Sequence, residues 1–354
     1  MSLGCFGGGI SIVNVIEIKN GVQVNRKFDK VKVQGFFQSA EMLENVLGLR
    51  YLLKCQTKVR SFVVQEENKD LVLIHTRIKN GVCYLLGSLE CFDYVDCIYG
   101  DISLQKLTEA FETFFDYLRK NSIHVFCVRF IDAKSQTYAA IKSIVEEREL
   151  LSEDDVENVA VQLGEEIYDN YFSSLTKHAK QNIRTAYNRM STDQKFYECK
   201  FYAGGGTEKR QLHKECMKVY QGRLQSRYGT GLSTQIGHYA DYVSKGIVKE
   251  HGTVCALLID GEIASFLEGF IDKGSILVPR LAINEKYKRY SPGLILCNEI
   301  IKECYHSEKI RCLNLLRGTE KYKYDLGGKT YITKNLEIDL RGIYNDEAET
   351  GVSS

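Results

Sequence analysis

The sequence predicts an α/β fold (α+β) built from two tandem domains, each a mixed, mostly antiparallel sheet flanked by helices. Two observations support this class. Short apolar segments separated by polar turns are typical of an antiparallel meander, and each meander is followed by an amphipathic helix and one more apolar strand. This order of elements occurs twice in 354 residues, a length typical of two domains.

The first copy begins with a meander between Ser61 and Gly87, whose apolar strands are predicted at Phe62–Val64, Leu71–Ile74 and Val82–Leu86. Polar turns separate the strands, and the second turn ends on Gly81, which suits a tight reversal. A helix beginning near Leu104 and a buried strand at Val125–Val128 complete the copy.

The second copy repeats this arrangement at a nearly constant offset. Its strands are predicted at Val254–Ile259, Ile263–Ile271 and Ile276–Ile283. Gly81 and Gly274 are 193 positions apart, and the helices beginning near Leu104 and Pro292 are 188 positions apart. The repetition predicts a duplicated domain. The alternative is a chance recurrence of a common arrangement, since residue identity between the halves is low.

These offsets suggest domain bounds. We predict a degenerate N-terminal domain at 10–163, a basic connecting helix at 164–190, a C-terminal catalytic domain at 191–340 and a disordered tail at 341–354. The first domain is interpreted as degenerate because its helix entry, Asp101–Leu104, carries neither a glycine nor a basic loop.

Composition excludes several function classes. A formal net charge of +1 provides no overall attraction to DNA or to an anionic membrane. No apolar run approaches the roughly 20 residues needed to span a bilayer. The 12 cysteines form no Cys-x-x-Cys pair, so they are expected to be buried thiols of a reducing, cytoplasmic compartment. The 7 histidines form no metal-binding motif, and no metal is expected.

The connecting helix, predicted over Glu165–Met190, has two faces. Leu175, Ala179, Ile183 and Tyr187 recur every fourth residue and form a buried stripe. On another face lie three basic residues that either face solvent or bind an anionic substrate: Lys177, Lys180 and Arg184. A later pair one helical turn apart, Arg223 and Arg227, either orients an acidic or sugar substrate or covers a solvated helix face.

The segment that carries most chemical information follows the strand Leu277–Ile283. A basic turn, Lys286–Tyr290, leads to Ser291-Pro292-Gly293 and a helix. Ser291 is predicted to cap this helix, Pro292 suits its first turn, and Gly293 allows close approach of a ligand to the backbone. Free backbone N–H groups and the positive end of the helix dipole then predict an anion site, for which a pyrophosphate is a suitable ligand.

This segment resembles the acetyltransferase (GNAT) superfamily that binds coenzyme A. The resemblance is strongest to its tandem branch, the cellulose-biosynthesis-type acetyltransferases and the Fem-type aminoacyl transferases. It depends on Ser291–Leu294 after an extended strand, on Gly318–Lys323 after the next strand, and on the preceding basic helix. The superfamily motif Gln/Arg-x-x-Gly-x-Gly/Ala is altered at its first and fourth positions, Lys288 and Ser291. The order of elements agrees over residues 60–335.

The resemblance implies an N-acyltransferase that moves an acyl group from acyl-CoA, acetyl-CoA or longer, to an amine acceptor. The acceptor would be an amino sugar, a polysaccharide or a cell-envelope precursor. The donor's phosphates would lie on backbone N–H groups of Ser291–Leu294, beside the basic residues Lys288 and Arg289. The backbone near Leu281, Ala282 and Ile283 would polarise the thioester carbonyl.

Two residues are expected to move protons. Glu268 is a carboxylate within an apolar strand, where it is either a general base or a residue of the solvated strand face. Tyr322, or its neighbour Tyr324, follows the next strand where the superfamily often keeps a tyrosine acid. His213 and Cys216 lie three residues apart and are interpreted as surface and core neighbours.

Two alternatives remain open. A Fem-type transferase would use aminoacyl-tRNA as donor, and the chain would then bind tRNA. A protein with inactive acetyltransferase folds would bind a ligand without transferring a group. The sequence does not indicate an oligomeric state.

Overall fold

The computed structural model describes residues 13–30, 35–47, 58–90, 92–146, 151–164, 167–239, 241–307 and 309–342. Side chains of Arg227, of 230–239 and of 241–242 lie outside this description. In chain order the elements are β1 (Val13–Ile18), α1 (Gly21–Phe28), α2 (Ala40–Leu47), β2 (Val59–Glu66), β3 (Lys69–Lys79), β4 (Val82–Leu85), β5 (Ile98–Tyr99), α3 (Leu104–Lys120), β6 (Val125–Asp132), α4 (Gln136–Val145), β7 (Leu151–Gln162), α5 (Tyr168–Ser174), α6 (Lys177–Thr192), β8 (Tyr197–Ala203), α7 (Thr207–Tyr239), α8 (Asp241–Ile247), β9 (Gly252–Ile259), β10 (Glu262–Asp272), β11 (Ser275–Ile283), α9 (Pro292–His306), β12 (Cys312–Arg317), α10 (Lys321–Asp325) and β13 (Lys329–Asp339).

The chain divides into two compact units. The first comprises Met1–Ala40, Cys55–Asp154 and Lys334–Ser354, and the second comprises Glu41–Lys54 and Asp155–Thr333. Each unit is assembled from separate segments, whereas the domain bounds predicted from the sequence are continuous. The predicted connecting helix lies within the second unit.

In the first unit β1 to β4 pair antiparallel in chain order, and β4 then pairs parallel with β6 at Val82 and Val125. The central strands β2 and β3 do not simply alternate buried and exposed side chains, because each of them buries a run of consecutive residues. Helix α3 buries an apolar stripe against this sheet, and Ser103 caps it by accepting from the Lys106 N–H at 3.2 Å.

The second unit repeats this topology. Strands β8 to β11 pair antiparallel in chain order, and β11 pairs parallel with β12 at Ser275 and Cys312. Strand β12 also pairs antiparallel with β7. The helix between the two parallel strands is α3 in the first unit and α9 in the second. The predicted α/β class with mostly antiparallel sheets is therefore confirmed.

The sheet of the second unit is covered on both faces. Leu267 and Leu281 belong to a core that also includes α6 and α9 residues, among them Ile183 and Ile301. Successive side chains of a strand point to opposite faces. Phe266 accordingly faces α7, where its ring contacts Tyr220 at a centroid distance of 6.5 Å.

The predicted long helix over 165–190 is two helices. It is interrupted at Leu175, whose backbone is extended (φ −63°, ψ 153°), and α6 then begins behind Thr176. The Thr176 hydroxyl accepts from the Ala179 N–H at 3.1 Å, which stabilises a new helix start. The predicted stripe is otherwise correct, because Leu175, Ala179 and Ile183 are buried.

Candidate active site

Strands β11 and β12 pair only at their beginnings. The parallel ladder joins Ser275–Leu277 to Cys312–Asn314, although β11 continues to Ile283 and β12 to Arg317. Opposite β10, the register of β11 shifts between the Leu277 and Arg280 pairs, where Pro279 lacks an N–H to donate. The two parallel strands thus separate beyond Leu277 and leave an open edge on β11.

A buried lysine organises the end of β12. Nζ of Lys323 lies 2.9, 3.2, 2.7 and 3.1 Å from four successive carbonyl oxygens, those of Leu315, Leu316, Arg317 and Gly318, which share its three N–H donors. Leu316 has a positive φ of 54°, so the strand curls around the ammonium. Lys323 is 2% exposed and also pairs with Glu320 at 3.0 Å. This carbonyl cage directs the chain away from β11 into α10.

The start of α9 differs in detail from the prediction. Ser291 is left-handed (φ 50°, ψ 51°) and its side chain makes no capping hydrogen bond. Its N–H donates to the Lys288 carbonyl, and its own carbonyl accepts from Leu294, both at 3.0 Å. Pro292 has no N–H. Gly293 therefore supplies the one free backbone donor in the described Ser291–Leu294 segment, and the predicted cap is wrong because Ser291 ends the preceding 3₁₀ helix.

A cavity of about 620 Å³ opens at this helix start, inside the second unit. Ligand pockets commonly have volumes of about 300–1,000 Å³. Its walls come from α6, α7, β11, α9 and the α10 region, and its lining residues are Asn182, Thr185, Arg189, Arg223, Leu281, Ile283, Lys288, Ser291, Pro292, Gly293, Leu294, Glu320, Lys321, Tyr322 and Asp325. Segments that are distant in sequence thus converge on the open edge of β11.

Most predicted donor-binding residues line this cavity, with two exceptions. Leu281, Ile283, Lys288 and the Ser291–Leu294 segment belong to its wall. Ala282 is buried and points to the other face of the sheet. Arg289 is 65% exposed and pairs with Asp193 at 3.0 Å.

The basic turn is a 3₁₀ helix, Glu285–Tyr290, whose cations are partly neutralised. Lys286 pairs with Glu262 at 2.6 Å, and Lys288, which is 73% exposed, pairs with Glu285 at 3.5 Å. Lys286 and Arg289 bind carboxylates outside the cavity wall, so Arg289 does not lie beside the donor phosphates as the resemblance implied. Lys288 alone among them lines the cavity.

Tyr322 is the predicted catalytic residue that lies in the cavity wall. Burial raises the pKa of Tyr322, so the phenol stays protonated at neutral pH. The positive charge of Arg223 lowers this pKa, but its effect is smaller than that of burial. No hydrogen-bond partner of its hydroxyl occurs within the described ranges. Tyr324, the alternative, is 39% exposed and its hydroxyl bonds Thr330.

Glu268, the predicted base, lies elsewhere. It is fully buried on the face of β10 that packs against α7, so the solvated-face interpretation is wrong. Arg280 Nη1 donates to its Oε2 at 2.5 Å, and its Oε1 lies 2.5 Å from His213 Nδ1. Glu268 is not part of the cavity wall. The role of Glu268 as a base stays a prediction, and this geometry does not favour it. His213 is buried beside Glu268 and is not the surface residue that its spacing indicated.

Helix α6 presents other residues to the cavity than those predicted. Lys180 Nζ donates to the Ser173 carbonyl at 2.9 Å, Arg184 lies 5.6 Å above the Phe172 ring, and Lys177 is exposed. Asn182, Thr185 and Arg189 line the cavity instead. Their spacing of three and four residues is that of one helix face, a signal that the sequence contained. The roles of Lys177, Lys180 and Arg184 in substrate binding stay predictions.

The structure adds acidic residues that the sequence reasoning missed. Asp325 and Glu320 line the cavity, with side chains 14% and 59% exposed. Asp325 Oδ2 accepts from Asn182 Nδ2 at 2.9 Å. Arg223, predicted from its helical spacing, also lines the cavity, whereas the side chain of Arg227 lies outside the described residues. No group of three or more His, Cys, Asp or Glu side chains that could hold a metal occurs in the described part of the chain.

Comparison with known families now adds to this geometry. Residues 177–324 match the acetyltransferase (GNAT) domain family, a segment that contains every cavity-lining residue except Asp325. No curated protein sequence matches the chain significantly.

Several solved structures share the fold at low sequence identity. A conserved protein of unknown function from Bacteroides thetaiotaomicron VPI-5482 has a TM-score of 0.56 and 13% identity, over 93% of this chain and 100% of that one. FemX has a TM-score of 0.54 and 9% identity, over 91% and 96%. A tandem GNAT protein from the clavulanic acid biosynthesis pathway has a TM-score of 0.51 and 8% identity, over 93% and 99%.

The second unit therefore contains a GNAT-type acetyltransferase domain, and the chain has the fold of tandem GNAT and Fem-type proteins. Membership of the cellulose-biosynthesis-type family stays a prediction. None of the described helices is both long and apolar enough to cross a membrane.

Proposed function

We propose that this protein is an N-acyltransferase that moves an acyl group from acyl-CoA to an amine. The observation that carries the proposal is the cavity at the open edge of β11, where a free backbone N–H, cationic side chains and a protonated phenol meet. This cavity lies in the segment that matches the acetyltransferase domain family.

The residues at the helix start suit the pyrophosphate of a CoA thioester. Gly293 offers an unpaired N–H at the positive end of α9, a position that favours anions. A Cβ added at Gly293 would lie 3.3 Å from both Leu281 Cδ2 and Ile283 Cγ2, so the glycine keeps this part of the wall open. Arg189 and Lys288 add positive charge from two other elements. Together these groups would hold the two phosphates.

The open edge of β11 suits the rest of the donor. Beyond Leu277 its backbone has no ladder partner on β12, and Leu281 and Ile283 present apolar side chains to the cavity. The bound donor supplies an activated acyl thioester. Backbone groups of β11 would orient that thioester, because an extended chain can pair with an unpaired strand edge.

Two side chains on α10 are placed to move protons. Tyr322 stays protonated because it is buried, and it would donate its proton to the departing thiolate. Asp325 lies one helical turn later, so both residues face the same cavity. We assign the acceptor's proton to Asp325, whose carboxylate lines the cavity, accepts from Asn182 Nδ2 and lies 3.6 Å from His178 Nδ1. Glu268 is instead paired with Arg280 outside the cavity. The acceptor class, an amino sugar, polysaccharide or envelope precursor, is part of the proposal, as is a cytoplasmic location.

Calorimetry with CoA, acetyl-CoA, longer acyl-CoAs and an aminoacyl-tRNA tests the donor. We expect acyl-CoA to bind with micromolar affinity, about −8 kcal/mol. Thiol release in the presence of an amine panel then tests transfer. Binding of aminoacyl-tRNA without CoA binding would replace the proposal by a Fem-type reaction. Binding of acyl-CoA without thiol release from any amine would favour an inactive binding protein.

A further inference from the structure

The guanidinium of Arg223 enters the cavity without a carboxylate partner. It lines the wall beside Leu281, and its one hydrogen bond within the described ranges goes from Nη1 to the Leu281 carbonyl at 3.5 Å, the long limit of such a bond. No ion pair of Arg223 occurs among the described residues. Most of its planar donors therefore remain available to a ligand.

A second arginine, Arg280, lies on the same face of the sheet and provides a comparison, because its guanidinium is buried with its charge paired. Arg280 donates to Glu268 at 2.5 Å and to Ser244 Oγ at 3.3 Å, and it lies 4.7 Å above the Tyr220 ring. Its charge is neutralised and its donors are occupied. Arg223 reaches the carbonyl of Leu281, the residue after Arg280 on β11. In the described part of the chain it has no counterion, and most of its donors are unoccupied.

A partly buried guanidinium without an anion is partly desolvated, and few hydrogen bonds to the protein compensate for the lost hydration. Its fork of N–H donors matches a carboxylate or a phosphate, which it binds through two parallel hydrogen bonds. The unpaired fork therefore indicates a missing anionic group, contributed by a bound molecule.

The direction from which Arg223 enters separates it from the pyrophosphate residues. Gly293 comes from α9, Arg189 from α6 and Lys288 from the 3₁₀ helix that precedes α9. Helices α6 and α9 both contribute to the core on one face of the sheet. Arg223 comes from α7, which packs on the other face against Phe266. Arg223 reaches the cavity near Tyr322, and its positive charge lowers the pKa of the Tyr322 phenol.

We propose that Arg223 selects amine acceptors that carry a carboxylate or phosphate, and that it binds this anionic group while the amine faces the acyl donor. This inference rests on the proposed acyl transfer. It narrows the acceptor from amines in general to anionic amines, such as phosphorylated amino sugars or amino acids.

Matched amine pairs test the selection. Glucosamine 6-phosphate is compared with glucosamine, and lysine with lysinamide, by thiol release at saturating acetyl-CoA. The wild-type protein should favour the anionic member of at least one pair by about 10- to 100-fold in kcat/KM, the effect expected of a charge-assisted pair. Arg223→Gln should abolish that preference, Arg223→Lys should keep part of it, and the Kd of acetyl-CoA should stay unchanged in both. Lys218→Gln, an exposed cation of the same helix outside the cavity wall, should keep the preference.

Three outcomes overturn the inference: equal use of both members of each pair, a preference that survives Arg223→Gln, or a Kd for acetyl-CoA raised tenfold by Arg223→Gln, which would place a donor phosphate on this arginine. If no amine is consumed, the acyl-transfer proposal fails instead. Calorimetry of the same pairs on the CoA-saturated protein then decides whether Arg223 prefers the anionic member.

Discussion

Gly293 lies beside Leu281 and Ile283 of β11, so a side chain added there alters the ligand space directly. Its N–H has no acceptor in the described part of the protein, and its φ is not in the left-handed region. A larger side chain there therefore fills space between Leu281 and Ile283 and does not strain the backbone. Gly293 therefore contributes to the site by leaving this space open to a ligand.

Gly293→Val should raise the Kd of acyl-CoA at least about tenfold, equal to 1.4 kcal/mol, because the side chain covers the donor N–H. Calorimetry measures the affinity, and circular dichroism checks the fold. Gly205→Val is a matched control, since an added Cβ there meets nothing closer than Glu250 at 3.9 Å. Unchanged acyl-CoA binding by a folded Gly293→Val protein would remove the pyrophosphate from this helix.

Tyr322 is placed to act as an acid at any physiological pH. Burial raises its pKa above the ordinary value of 10.0, so the phenol keeps its proton up to and beyond that pH. Tyr322→Phe should lower kcat by about 100-fold, within the range of general acid catalysis, with little change in acyl-CoA affinity. Wild-type kcat should show no alkaline decline from this group below pH 10. A phenylalanine variant with full kcat would exclude Tyr322 as the acid.

The roles of the two candidate bases, Glu268 and Asp325, are distinguished by comparing the stability and the rate of their variants. Glu268→Gln removes the counterion of buried Arg280 and should lower the free energy of unfolding by about 3–5 kcal/mol. Asp325→Asn should lower kcat with a much smaller loss of stability, since its carboxylate meets the cavity. Urea unfolding and steady-state kinetics on both variants are needed. A stable Glu268→Gln protein with greatly reduced kcat would reverse the assignment.

At the scale of elements, the separation of β12 from β11 creates the site. Parallel strands normally continue their ladder, but here it ends after three residue pairs, Ser275–Leu277 with Cys312–Asn314. The Lys323 ammonium satisfies the carbonyl oxygens that the curled strand end would otherwise leave buried without donors. The same turn carries Tyr322 and Asp325, so the cage also positions both proton-moving residues.

Lys323→Met should lower the free energy of unfolding by at least about 2 kcal/mol, since it leaves several buried carbonyl groups without a donor. The control is Lys321→Met, two residues earlier and exposed, which should unfold at nearly the parent urea concentration. Equal stability of the two variants would show that the carbonyl cage is not needed for the fold.

At the scale of the whole molecule, many ionisable groups are buried in their neutral form. Burial raises the pKa of Tyr171, Tyr187 and Tyr322 in the second unit, and it raises the pKa of Cys127 to about 12 in the first. A group whose pKa is raised by folding stabilises the protein below its unfolded pKa, and that stability is lost as pH rises further.

The free energy of unfolding should therefore fall steadily above pH 9–10, where thiols and phenols of the unfolded chain begin to ionise. Urea denaturation at successive pH values measures it, with tyrosine absorbance reporting ionisation. Stability that stays constant from pH 8 to 11 would contradict this burial pattern, because it would mean that the phenols titrate equally in both states.

The sequence alone determined the repeated meanders and the helices that follow them. Apolar periodicity placed β2 to β4 and β9 to β11, and the offset of 193 positions between Gly81 and Gly274 reappears in the first strand of each parallel pair, at Val82 and Ser275. The strand–turn–helix signal around Pro292 placed the cavity wall. These features depend on local periodicity and turn chemistry, which a sequence displays directly.

Only the tertiary structure decided which side chains meet. Glu268 looked like a free carboxylate until Arg280, opposite it on the next strand, and His213, on α7, were seen to bind it. Lys323 entered the sequence analysis only as the last residue of the Gly318–Lys323 motif, and nothing in that motif indicates that its ammonium lies among four carbonyls. Partners of this kind lie far apart in the chain or depend on how a strand end curls, so their pairing is a property of packing that local patterns do not encode.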